Sequence, residues 1–179
     1  MKQVQRMAGP KFRVLQGVEF GWKELREAGE WPGWEILVYG LDASVDAQEL
    51  RSWGPTRCLE YTDKVGCANV VAHPFRYKKH RIDIDKLFSD FPIHAVERAN
   101  GNCSREANKL AEAEHPKLPG IGGSDAHSCL AVGRVVTEVL DGVSSGREFA
   151  EAIRAGKVIP VRPFEEGGAL WPSSPKEGR

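Results

Sequence analysis

Three stretches of this sequence carry side chains that ligate divalent metals, and each lies where a short, β-prone apolar run comes to its end. In GVEF, Glu19 closes the run over residues 12–20; in AHPFR, His73 follows residues 68–72; in GSDAH, Asp125 and His127 follow the glycine-rich residues 120–123. Carboxylate and imidazole together suit zinc, manganese or iron, and α/β folds build their sites at the carboxyl ends of strands. Asp125 and His127 are two apart, so in an extended segment they share a face and can converge on one ion or on neighbouring ions. Pro74 stops the strand directly after His73 and fixes the backbone there. Taken singly, each residue also has an ordinary reading: Glu19 as a surface charge, His73 as a hydrogen-bonded core histidine, Asp125 as a helix N-cap. Arg76, three residues past His73, carries a fork suited to a phosphate, and Arg134 after Gly133 is a second candidate; either can equally be a surface or ion-pair arginine.

The elements that must position these residues alternate. Residues 12–20, 35–41, 68–72, 94–99, 134–140 and 157–161 read as strands, with a very short one ending at 120–123. Between them, 146–155 reads as a helix with a Ser145–Glu148 capping box, Gly156 at C′ and a stripe of Phe149, Ala150 and Ile153. Residues 105–114 read as a second helix with Ser104 as N-cap and Ala107, Leu110 and Ala111 facing inward, and 83–89 as a third. Less regular helical patterns cover 47–53 and 57–65, split by Gly54-Pro55. Such alternation predicts an α/β domain with a largely parallel sheet over residues 1–162. Residues 21–33 read as a loop. Residues 163–179, rich in proline, glycine and serine, read as a disordered tail.

Bulk properties narrow the partners. A chain of 179 residues holds one core. Lysine plus arginine and aspartate plus glutamate balance at 25 each, and the one basic cluster is RYKKHR at 76–81, which argues against nucleic acid; the cluster reads as a solvated loop that, beside His73, can equally attract a small phosphorylated substrate. No segment approaches the roughly 20 apolar residues of a membrane span, and the first residues are not a signal peptide. A cytoplasmic protein is therefore expected, with no membrane partner. Cys58, Cys67, Cys103 and Cys129 lack CxxC spacing and read as reduced thiols, more core filler than ligands.

In their order and spacing, GVEF, VVAHPFR, RANG, GSDAHS and AVGRVVTEV resemble the polymerase and histidinol phosphatase (PHP) superfamily over about residues 12–162. The resemblance implies a distorted (βα)7 barrel that binds up to three metal ions and hydrolyses phosphate esters with a metal-activated water. It implies Glu19 as the bridging carboxylate, His73 as the ligand of the HP motif, and Asp125 and His127 as the late ligand pair. The family opens with a His-x-His strand, whereas no histidine precedes His73 here. The expectation is therefore a partial barrel of PHP type lacking about the first two βα units and holding fewer ions. Glu35 stands where relatives often have a histidine and is a further candidate ligand. Asn100 reads as a turn former beside Gly101, and His80, His94 and His115 receive no role. Two alternatives remain open. The chain is either a non-catalytic remnant that binds at most one metal, or a subunit completed by a partner chain through an exposed sheet edge.

Overall fold

The computed structural model describes residues 13–22, 34–76, 84–114 and 117–163. Within these, strands β1 (Gly17–Gly21), β2 (Glu35–Tyr39), β3 (Ala68–Val71), β4 (Ala95–Asn100) and β5 (Gly120–Gly123) form one sheet in sequential order. Two helices, α1 (Ala47–Ser52) and α2 (Pro55–Lys64), connect β2 to β3, while α3 (Ile84–Asp90) precedes β4 and α4 (Arg105–Glu114) joins β4 to β5. Beyond β5 come β6 (Val136–Val139), α5 (Gly146–Arg154) and β7 (Val158–Val161), with β6 and β7 paired as a separate two-stranded sheet.

The strands fall where the apolar runs put them, but the expectation of a largely parallel sheet needs correction. β3, β4 and β5 run parallel, whereas β2 is antiparallel to both β1 and β3. A single crossover helix carries the chain to the opposite end of a sheet. Here the break at Gly54-Pro55 makes two helices, and a pair returns the chain to the end it left. Among the described residues the sheet does not close into a barrel. The architecture is mixed α/β. The tail from residue 164 and most of the 21–33 loop lie outside the described residues, as do His80, His115 and most of RYKKHR.

Alternation along β2 and β3 sends side chains to two cores. Ile36, Val38 and Val71 join Phe20, Leu50, Leu59 and Leu87 on one face. Ala68 and Val70 join Ala95, Ile121, Ala150, Ile153 and Val158 on the other. α5 presents Ala150 and Ile153 as its pattern predicts, and half of its capping box forms as read, with Ser145 Oγ accepting from Glu148 N at 3.2 Å, while the Glu148 carboxylate accepts from Ser144 N at 2.7 Å instead of from Ser145 N. On α4, Ser104 Oγ likewise accepts from Ala107 N, and Ala107 and Ala111 are buried, but Leu110 is 37% exposed instead of facing inward. The stripe of α4 is thus narrower than its pattern suggests, because only a small third cluster with Phe75 lies beneath it. All four cysteines are free, Cys58 and Cys67 buried and Cys129 exposed.

Two polar devices tie the layers. The hydroxyl of Thr137 on β6 donates to Gly122 O at 2.6 Å and accepts from Gly122 N at 2.9 Å, joining the small sheet to β5. A methyl group on Gly122 would meet Val136 O at 2.5 Å and Val135 Cγ1 at 2.7 Å, so Gly122→Ala should destabilise the chain by about 1–3 kcal/mol, read as a lower midpoint of denaturant unfolding.

The second device is His94, which is not a surface residue. Its Nδ1 accepts from Asn69 N at 3.0 Å, and its Nε2 lies 3.1 Å from Asp63 Oδ1. Arg154 of α5 binds the same Asp63 oxygen and Cys67 O, both at 2.8 Å. Burial and the neighbouring Arg154 hold the imidazole below its ordinary value, and a proton on Nδ1 would displace the Asn69 amide. Below about pH 6.5 the unfolded chain takes up a proton that the folded chain resists, so stability falls as pH drops from there. Thermal unfolding midpoints between pH 7 and pH 5 should decline more steeply for the wild type than for His94→Gln.

Candidate metal centre

The site is assembled by strand register. In the β1–β2 ladder Glu19 lies opposite Leu37, and Gly21 lies opposite Glu35. Val18 and Phe20 point into the first core, so Glu19 faces the other way, and Glu35, two residues before Leu37, shares that face as a diagonal neighbour. Because β2 runs against β3, the start of β2 lies beside the end of β3, where Ala72 N donates to Glu35 O at 2.9 Å. The next residue is His73. Its Nε2 sits 3.1 Å from Glu35 Oε2 and 3.5 Å from Glu19 Oε1.

One ligand atom from each of Glu19, Glu35 and His73 lies within 4.8 Å of the others. Two carboxylates and an imidazole make a donor set that zinc, manganese and iron accept, and three protein donors leave coordination positions for water. The residues therefore fit a divalent ion. His73 is 7% exposed at its side chain and Glu19 47%, so the cluster is closed on the protein side and open toward solvent.

Behind His73, a chain of polar contacts runs from β4 to the turn after β5. Glu97 shares the inward face of β4 with Ala95, is 4% exposed, and accepts from His73 N at 2.8 Å and from Asn100 Nδ2 at 3.0 Å through the same oxygen. Asn100 Nδ2 also reaches Asp125 Oδ2 at 3.3 Å. Its Oδ1 accepts from Asn102 N at 2.8 Å, the turn-forming bond expected of it. Asn108 of α4 clasps its backbone, accepting from Asn100 N at 2.9 Å and donating to Asn100 O at 3.0 Å. Asp125 is ion-paired with Arg76, whose Nη1 lies 3.2 Å from His73 Nε2. His73 and Asp125 hold φ of 25° and 46°, a left-handed backbone that costs a residue with a Cβ on the order of 1–3 kcal/mol.

His127 stands apart from the three-residue cluster. Its side chain is 76% exposed, with Nδ1 2.9 Å from Asp125 O and 3.7 Å from Asp125 Oδ1. Arg134 is exposed, with its Cβ against Gly101. The sequence reading passed over Glu97, although a carboxylate at an inward position of a buried strand was a visible signal.

The titration of the cluster follows from its contacts. Burial alone would lower the pKa of His73, but hydrogen bonds to Glu19 and Glu35 outweigh it and raise the imidazole to about 9. The hydrogen bond from His73 in turn holds Glu35 below the ordinary carboxylate range. Burial pushes Glu97 up.

Residues 105–158 match the family model described as PHP-associated, which supports a relation to PHP proteins. No curated protein matches the chain. The matched segment includes Asn108, Asp125, His127 and Arg134. Among the described residues, no helix is long and apolar enough to cross a membrane.

Because metal ligation requires neutral imidazole, an ion bound through His73 displaces the proton held there with a pKa of about 9. Calorimetric titration of zinc at pH 7 in buffers of different ionisation enthalpy should register release of about one proton per ion, and this release should disappear in His73→Ala.

Proposed function

We propose that this chain is a metal-dependent phosphoesterase of PHP type that hydrolyses small phosphate esters. The observation that carries the reading is the convergence of Glu19, Glu35 and His73 at one end of the sheet, and the match of residues 105–158 to a PHP-associated model supports it. On this reading the sheet is part of a distorted, incomplete (βα)7 barrel.

A divalent ion of manganese, zinc or iron, when bound, supplies an acidified water and positive charge for the phosphoryl oxygens. The chain's own residues hold and orient. Glu19 and Glu35 contribute carboxylate donors, and His73 contributes its imidazole once its proton is displaced. Arg76 is held beside His73 by Asp125, which aims a planar fork at the place where a phosphate would approach. His127 and Arg134, both exposed, lie outside the three-residue cluster and are available to substrate at the rim. A protein nucleophile is not required.

One observation favours a second reading, a non-catalytic domain that holds a single ion. Asp125 is engaged by Arg76, and His127 turns outward, so the converging donors are those of one ion. Turnover decides between them. With added manganese or zinc, the purified chain should hydrolyse a chromogenic phosphate monoester, and Asp125→Ala should lose roughly 10–100-fold. Stoichiometric metal binding with no turnover would instead establish the second reading.

A further inference from the structure

Resting on the metal-holding role proposed for His73, we infer that Glu97 and Asn100 are positioning residues, a buried bridge that sets the backbone of His73 and the carboxylate of Asp125 and so aims both side chains at the site. Among the described residues, His73 and Asp125 are the non-glycine residues with positive φ. They come from different strand ends, and each is bonded to one member of the hydrogen-bonded pair Glu97 and Asn100. His73 N donates to Glu97 Oε2 at 2.8 Å, and Asn100 Nδ2 donates both to that oxygen at 3.0 Å and to Asp125 Oδ2 at 3.3 Å. A strained backbone persists only where its surroundings over-determine it. Here the over-determination has named bonds.

The surroundings are built for this bridge. Glu97 is 4% exposed in a strand whose other buried residues, Asn100 apart, are apolar, and a buried carboxylate is costly unless its oxygens are satisfied. Its carboxylate lies against Gly123, the register partner of Asn100, where a methyl group would collide with Glu97 Oε1. Gly101, next to Asn100, lies so close to the Asp125 turn that a methyl group would meet Ser124 O at 2.8 Å. Two glycines thus make room for one carboxylate and for one close approach of strand ends. Asn100 is held in turn by the two-way clasp of Asn108.

Releasing the amide of His73 lets its backbone relax toward an ordinary φ, which carries Nε2 away from Glu19 and Glu35. Loss of metal affinity follows, without loss of any ligand atom. Calorimetric titration of manganese into the full chain tests this with Glu97→Ala, Glu97→Gln and Asn100→Ala. Glu97→Ala should bind about 10–100-fold more weakly. Glu97→Gln keeps an acceptor for the His73 amide and should recover to within a few-fold of the wild type, a rescue that a role in bulk packing or net charge would not produce. Should Glu97→Ala fail to fold, Asn100→Ala carries the comparison, with a loss of about tenfold expected. Wild-type affinity in the alanine variants overturns the bridge and leaves the metal site standing. A Glu19→Ala control that binds like the wild type overturns the metal site itself, and the bridge with it.

Discussion

The register of β2 is the constraint on which the site depends. Lying antiparallel between β1 and β3, it places Glu35 diagonal to Glu19 and brings its own first residue beside the residue that follows β3. A one-residue slip in the β1–β2 ladder would turn Glu19 into the core that holds Phe20 and Leu59, and bring Phe20 out. The apolar residues on both faces of β2 specify the register, with Ile36 and Val38 fully buried in one core and Leu37 and Tyr39 packed against the other. The carboxylates are thus placed by the burial of their neighbours.

Charge then becomes the problem that the site must solve. Glu19, Glu35, Glu97 and Asp125 gather around one imidazole and one guanidinium. Three of these groups are shifted by their own surroundings. His73, between two carboxylates, holds its proton; Glu35, bonded by that proton, stays ionised; Glu97, deepest of all, is pushed toward the neutral form by burial. Buried polar groups of this kind specify one arrangement only when each is satisfied, and the bonds from the His73 amide and the Asn100 side chain satisfy Oε2 of Glu97.

Much of this was legible in the sequence. Short apolar, β-prone runs located the strands, the Ser145 cap located the last helix, and the order of GVEF, AHPFR and GSDAH marked the strand ends that carry the candidate ligands. Strand direction was not legible, because alternation looks the same either way along a strand; the two helices split at Gly54-Pro55 carried that information. Glu97 escaped because HAVERA reads as a strand and its inward carboxylate was not asked for a partner. His94 escaped because its partners, Asp63 and Arg154, lie far along the chain. The contact between Arg76 and Asp125 likewise joins two turns that only the folded sheet brings together.

The joint between the two sheets has an unusual character, since Thr137 meets both backbone groups of Gly122 with one hydroxyl. That hydroxyl does the work a neighbouring strand would otherwise do, yet it can let go without unzipping either ladder. The small sheet keeps a second hold of another kind, since Val158 of β7 is buried with Ala95 and Ile121 of the main sheet, so loss of the hydroxyl would unpin one backbone contact and leave the apolar packing between the sheets in place.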